Sequence, residues 1–223
     1  MTTGVVGVLT IGQSPRTDVT PSIQSIVGPK VTIIESGGLD SLSDTNMHLI
    51  APEVSDTTYI SKLRNGNSVK IGKSKLLPLL QTELSKLEEE TDIILMLCTG
   101  DFPMLKTTKP IIYPDKVLNH VVSAILASGS LGLIIPLEEQ REQLVEKWKQ
   151  QNLQLFVEVA SPYEKSDVAG AARSLKRQGA DIIVLDCMGY NELHKTEAVK
   201  GSGLPVILPR TLTARIISEY ISS

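Results

Sequence analysis

Cysteine is scarce in this chain, with two among 223 residues. Two thiols cannot staple a domain of this length, so a disulfide scaffold is excluded, and their apolar surroundings fit a reducing, cytoplasmic compartment. Aromatic residues are equally thin at 4%, and 22 basic against 25 acidic side chains leave a formal charge of −3. A nucleic-acid groove needs a basic stripe interleaved with stacking rings, so no nucleic-acid partner is expected. The three histidines, His48, His120 and His194, stand far apart and lack the paired spacings of a zinc site, so no metal is expected. Neither G-x-G-x-x-G nor G-x-x-x-x-G-K-S/T occurs, which removes two common nucleotide cradles and the expectation of a nucleotide cofactor.

Other absences bound the organisation. The opening Met1-Thr2-Thr3-Gly4-Val5-Val6 has no basic region before its apolar stretch, so no signal peptide is expected. Residues 117–137 lack a formal charge over a length that would span a bilayer. Asn119, His120, Ser128, Gly129, Ser130 and Pro136 divide that run into a helix, a turn and a buried strand, so no membrane partner is expected. No linker rich in proline, glycine or serine separates independent domains.

What is present is alternation. Apolar runs of strand length fall at 4–11, 31–35, 92–98, 110–113, 131–135, 154–159, 181–187 and 205–208. Helical spacing of apolar residues falls at 17–26, 74–89, 114–127, 137–150, 166–178 and 211–221. Such a pattern predicts an α/β fold of mainly parallel sheets flanked by helices. Residues 57–71 break it with β-formers around Asn65-Gly66-Asn67, the signature of an inserted β-hairpin. Gly179 reads as a helix C-cap, Trp148 as core, and the run from Glu88 to Glu90 as a solvated helix end.

The halves echo each other. Asp92-Ile93-Ile94 through Cys98-Thr99-Gly100 matches Asp181-Ile182-Ile183 through Cys187-Met188-Gly189 as D-I-I-x-x-x-C-x-G, so both cysteines end equivalent strands. Pro110-Ile111-Ile112-Tyr113-Pro114 matches Pro205-Val206-Ile207-Leu208-Pro209, and Gly7-Val8-Leu9 matches Gly132-Leu133-Ile134 in the same order. Collinear matches predict two pseudo-symmetric α/β lobes. The first lobe is expected over 1–115, with the C-terminal helix, 210–223, crossing back onto it, and the second over 116–209. Gly7 to Cys98 spans 91 residues and Gly132 to Cys187 spans 55, so an excess of 91 − 55 = 36 places the hairpin insertion in the first lobe.

Ligands of open parallel sheets sit outside the carboxyl ends of the strands, so two such cysteines would face one crevice between the lobes. One thiolate taking a proton from a carbon and the other thiol returning one to the opposite face is racemisation without a cofactor. The glycines following each cysteine offer loop amides for a carboxylate, which makes Thr99, Gly100, Met188 and Gly189 candidate substrate contacts. The loop after the first strand adds Gln13, Ser14 and Arg16, whose guanidinium suits a bidentate carboxylate, against the alternative of a capped helix start with Arg16 solvated. Thr211 is a weaker candidate of the same kind.

Over its full length the chain resembles the AroM family, in Ile11-Gly12-Gln13-Ser14-Pro15-Arg16-Thr17-Asp18-Val19, in residues 54–71 and in Val184-Leu185-Asp186-Cys187-Met188-Gly189-Tyr190. That family is similar to the aspartate/glutamate/hydantoin racemase superfamily, and the resemblance implies two α/β lobes with one catalytic cysteine each, Cys98 and Cys187. It also implies a homodimer and a small carboxylate ligand. Amino-acid racemases usually carry Asn-Thr and Thr-His after their cysteines, where this chain has Thr99-Gly100 and Met188-Gly189, so racemisation, decarboxylation and cis–trans isomerisation all stay open. The competing expectation is a catalytically silent carboxylate-binding regulator of the same fold, linked by the family name to aromatic amino-acid metabolism.

Overall fold

The computed structural model describes residues 4–103, 105–149 and 152–221. Expectations touching residues 1–3, Gln150 at the end of the helix over 137–150, and the last two residues of the C-terminal helix lie outside the described residues. The chain divides into two compact units, one of residues 1–98, 102–114 and 213–223 and the other of 99–101 and 115–212.

The first unit contains β1 (Gly4–Thr10), α1 (Thr20–Val27), β2 (Val31–Gly37), a 3-10 segment (Asp44–Ile50), β3 (Thr58–Lys62), β4 (Ser68–Gly72), α2 (Lys73–Leu87), β5 (Ile93–Leu97) and β6 (Ile111–Ile112). The chain continues through α3 (Pro114–Ile125), β7 (Gly129–Ile135), a 3-10 turn (Glu138–Gln140), α4 (Arg141–Trp148), β8 (Leu153–Val159), α5 (Val168–Gln178), β9 (Ile182–Leu185), α6 (Glu192–Ser202) and β10 (Val206–Ile207). Helix α7 (Pro209–Ile221) follows and belongs to the first unit from Thr213 onward.

Each unit is built on a four-stranded sheet whose paired strands are parallel. The orders are β2-β1-β5-β6 and β8-β7-β9-β10, the same topology written twice. Register agrees residue by residue: Gly7 lies opposite Ile94 and Gly132 opposite Ile183. The aspartate of the repeated D-I-I has a structural reason. Asp92 accepts the amide of Val5 at 2.8 Å and Asp181 that of Ser130 at 2.8 Å, so each carboxylate fixes the start of the neighbouring strand. The proline before each short edge strand donates nothing but accepts, Pro110 from Ile94 and Pro205 from Ile183. Of the four residues expected in each, β6 keeps Ile111–Ile112 and β10 keeps Val206–Ile207, with the next helix beginning at Pro114 and Pro209.

Helices form where apolar spacing and caps agree. Helix α2 buries Leu76, Leu80, Leu84 and Leu87. In α5, Asp167 caps the start by accepting from the Gly170 amide at 2.7 Å, and Gly179 at φ +103° closes the end as expected. The hairpin β3–β4 is present, antiparallel and turned at Gly66 with φ +86°. Its Tyr59, Ile60 and Ile71 are buried, and Tyr59 stacks on Phe102 with centroids 4.9 Å apart.

Several expected boundaries move. The helix expected from Thr17 begins at Thr20, because residues 16–19 form a turn in which Val19 and Thr20 donate to the Arg16 carbonyl. The helix expected over 137–150 opens with a 3-10 turn before α4. Glu88, expected in solvent, accepts from the Thr107 hydroxyl at 2.7 Å and the Thr108 amide at 2.8 Å, and those bonds hold its carboxyl below the usual range. Helix α6 was not anticipated. Among the described residues no helix is long and apolar enough to cross a membrane, and residues 117–137 fold as α3, a turn and β7.

Candidate active site

Both cysteines occupy the same place in their units. Cys98 follows β5 directly, and Cys187 follows β9 after Asp186. Residues 91–100 and 180–189 share one burial pattern: each cysteine is half-buried after five buried residues and before two more. No disulfide links them. Cys98 packs against the core of the first unit, and Cys187 against a core of the second.

The loop after Cys187 is tightly furnished. The Gly189 amide donates to Cys187 Sγ at 3.4 Å, and Tyr163 Oη lies 3.6 Å from the same sulfur. From behind, the fully buried Arg210 guanidinium donates to the Met188 carbonyl at 2.9 Å and the Gly189 carbonyl at 2.9 Å. These bonds hold the loop with its amide turned to the sulfur. The Met188 side chain is buried, and the Thr211 hydroxyl donates to the Leu208 carbonyl at 3.1 Å.

Asp186 lies where the chain leaves β9, in a tight turn closed by the Cys187 amide donating to the Leu185 carbonyl at 2.8 Å. Its fully buried carboxylate meets Lys147 Nζ at 2.7 and 2.9 Å and the Trp148 indole at 2.9 Å. Trp148 is core, as expected, with a polar handle as well. Lys147 also donates to the Thr99 carbonyl at 3.0 Å, fixing the residue after the first cysteine. Thr99 and Gly100 are both buried.

The loop after β1 is organised by the hairpin. Arg16, 3% exposed, pairs with Asp18 at 2.8 and 2.9 Å and donates to the hydroxyls of Thr10 and Ser61 at 3.0 Å each. Burial opposes the charge on Asp18, but the Arg16 hydrogen bond and charge outweigh it and hold that carboxyl below its usual value. Arg16 is thus engaged inside its own unit, not solvated as the helix-start alternative had it. The Ser14 hydroxyl donates to Asp40 at 2.6 Å, and Arg64 of the hairpin binds Asp40 at 2.7 Å and the Ser14 carbonyl. Gln13 is buried, accepting from the Arg64 amide at 3.0 Å. Gln13, Ser14 and Arg16 are therefore brought together in the first unit, and Met188, Gly189 and Cys187 in the second.

A separate cavity of about 760 Å³ lies in the second unit, lined by Asp101, Asp115, His120, Lys147 and Lys149 among others, and by neither cysteine. Asp115 is buried there, with Oδ1 lacking a hydrogen-bond partner and burial pushing its carboxyl up. In the repeat, Asp115 follows Pro114 as Arg210 follows Pro209, so equivalent positions carry opposite charges.

Sequence reasoning missed Tyr163, Lys147 and Arg210. Only Arg210 had a readable signal, as the residue completing the second proline-flanked repeat. Comparison with solved structures places the fold among known enzymes. Unliganded arylmalonate decarboxylase aligns at TM-score 0.62 with 12% identity, over 99% of this chain and 93% of that one. Aspartate racemase of Picrophilus torridus aligns at 0.59 with 11% identity, over 98% and 94%. Maleate cis–trans isomerase of Nocardia farcinica aligns at 0.62 with 13% identity, over 98% and 92%. At such low identity the superpositions show the shared two-lobed α/β fold alone. Comparison with curated protein sequences returns no match. The family model described as AroM protein, however, matches residues 6–221, and the chain belongs to that family.

Proposed function

We infer that this protein catalyses proton transfer at a carbon of a small carboxylate, with Cys98 and Cys187 as the acid–base pair. One observation carries the reading: each half-buried thiol lies just past the carboxyl end of the equivalent strand of a duplicated sheet, within an identical burial pattern. In parallel α/β sheets that end of the strand is where ligands bind. The solved structures of the same fold are described as a decarboxylase of arylmalonates, a racemase of aspartate and an isomerase of maleate. All three substrates are small carboxylates whose conversion alters bonding at a carbon near the acid group.

In this reading one thiolate takes the proton from the substrate carbon, leaving the electron pair on that carbon, and the other thiol protonates the resulting centre. The Gly100 amide binds the carboxylate, while Thr99, Met188, Gly189 and Thr211 shape its surroundings. Gln13, Ser14 and Arg16, gathered in the first unit, order the loop after β1. The protein works as a soluble catalyst without an organic cofactor, in a cytoplasmic setting and as a homodimer.

The test is proton exchange in deuterated water, followed by NMR, with aspartate, an arylmalonate and maleate as probes. Exchange or conversion of one probe is expected, falling about 10²–10⁴-fold in Cys98→Ser and in Cys187→Ser, the usual worth of a positioned acid or base. Wild-type rates in either variant would overturn the two-thiol reading. Thermal stabilisation by a probe without any conversion would identify a carboxylate-binding regulator instead.

A further inference from the structure

The loop over residues 160–167, between β8 and α5, presents one aromatic side chain to the second cysteine. Within it the Tyr163 amide donates to the Ser161 hydroxyl at 3.2 Å, and the Ser166 hydroxyl donates to the Ser161 carbonyl at 2.8 Å. The Tyr163 ring lies so close to Gly189 that a Cβ there would stand 2.6 Å from both Cζ and Oη. Only glycine permits that approach, and the approach brings the phenol to 3.6 Å from Cys187 Sγ. With the Gly189 amide at 3.4 Å, an amide donor and a hydroxyl that donates once the sulfur is a thiolate converge on one sulfur.

A thiolate only accepts hydrogen bonds, so two converging donors favour it over the thiol. The charged and titratable groups around the sulfur agree. The Asp186 carboxylate is ion-paired with Lys147 at 2.7 Å. The Arg210 cation sits on the Met188 and Gly189 carbonyls. Tyr190 donates to the Ala160 carbonyl at 2.7 Å, and burial raises its phenol well above the usual value, so it stays neutral. His194, edge-on to Tyr190 at 5.6 Å, is kept below its usual value by burial and is neutral as well.

We propose that Tyr163 is a positioning residue which, with the Gly189 amide, holds Cys187 as the resting thiolate and so makes it the proton acceptor of the pair. The assignment of base and acid rests on the two-thiol reading above. In the reaction, Cys187 sulfur takes the proton from the substrate carbon and becomes the thiol, leaving the electron pair on the carbon stabilised by its carboxyl group. The Cys98 thiol then gives its proton to that carbon. Exchange with water returns the proton from Cys187 and reprotonates Cys98, and Tyr163 keeps its own proton throughout.

The experiment is alkylation of the full-length protein by iodoacetamide between pH 5 and 10, read at each cysteine by peptide mass mapping. In the wild type the Cys187 midpoint is expected below about 8.5, the ordinary thiol value. In Tyr163→Phe it moves up by about one pH unit, so alkylation at pH 7 slows about five- to tenfold, and the two proteins converge near pH 10. Cys98, read in the same sample, keeps its profile. An unmoved Cys187 midpoint in Tyr163→Phe overturns the proposal. Should that variant not fold, a wild-type midpoint at or above 8.5 overturns it equally. Alkylation uses no substrate, so a failed exchange assay and a failed titration are separate results.

Discussion

The two sheets repeat each other in strand order, register and burial, yet they differ sharply one residue before each cysteine. In the first unit that residue is Leu97, buried as hydrocarbon. In the second it is Asp186, equally buried as an ion pair with Lys147 and capped by the Trp148 indole. A backbone position thus tolerates either chemistry, provided the covering helix supplies the partner, here α4. A buried pair adds little stability over well-packed apolar groups, because desolvation offsets the attraction. What the pair adds is position: the same ammonium holds the Thr99 carbonyl. The first unit gains nothing equivalent from Leu97.

The largest effect is expected where that difference is removed by halves. Lys147→Met leaves Asp186 as an unpaired buried charge and is expected to cost about 3–5 kcal/mol in urea unfolding. Adding Asp186→Leu copies the first unit and is expected to recover most of that loss, with Trp148 left to lose one hydrogen bond. A double variant no more stable than the single one would mean the two strand ends are not interchangeable.

A smaller effect tests where the units agree. Gly7 and Gly132 hold equivalent positions in the repeat, opposite Ile94 and Ile183, and both are pressed by the helix–strand corner behind them. A Cβ at Gly7 would stand 2.9 Å from Leu87 Cγ and 3.1 Å from Thr91 Cγ2. At Gly132 it would stand 3.1 Å from Leu175 Cδ1 and 3.2 Å from the Ala180 side chain. Both Gly→Ala substitutions are expected to destabilise, Gly7→Ala by about 1–3 kcal/mol and Gly132→Ala by less, because its contacts are looser. Thermal melts of both variants measure this. The reverse order would break the equivalence of the two corners.

That repeat was legible in the sequence because buried parallel strands are short apolar runs, and D-I-I-x-x-x-C-x-G places an aspartate, a core and a thiol at fixed positions on each. The hairpin was legible because Asn65-Gly66 demands a turn. Side-chain partners across long separations were not. Arg16 reads as a guanidinium in an exposed-looking loop, and only the fold brings Ser61 to it from 45 residues away. Lys147 and Asp186 lie 39 residues apart, on elements whose facing surfaces no periodicity announces. Tyr163 sits in a polar loop, where one aromatic residue carries no pattern. Helix α6 was missed because it lacks an apolar stripe: its buried residues are only Ala198 and Ser202. It docks through small residues, and a Cβ on Gly201 would collide with the Ala169 carbonyl of α5.

Helix α6 also marks a difference in how each cysteine loop leads on to the edge strand, and it supports the smallest expected effect. Among the described residues of 99–110, the first unit has no helix there, whereas the second starts one at once after Tyr190. Its start is a reciprocal cap. Asn191 Oδ1 accepts from the Leu193 and His194 amides at 3.0 and 3.1 Å, and the Asn191 amide donates to His194 Nδ1 at 3.1 Å. That last bond needs a neutral ring, since a protonated imidazole has no acceptor. Burial, assisted by the Arg210 charge and opposed by Glu197, keeps the folded His194 below its ordinary value. The folded state therefore binds this proton less readily than the unfolded chain, so the contribution is full above the unfolded value of about 6.5 and is lost as pH falls below it. The size is that of one cap hydrogen bond, about 1 kcal/mol. Urea midpoints at pH 8 and pH 5 are expected to show the loss in the wild type and a flatter response in His194→Gln, since glutamine at this position can accept from the cap amide at either pH. An undiminished acid response in His194→Gln would move the titrating group elsewhere and leave the two connections alike in their response to pH.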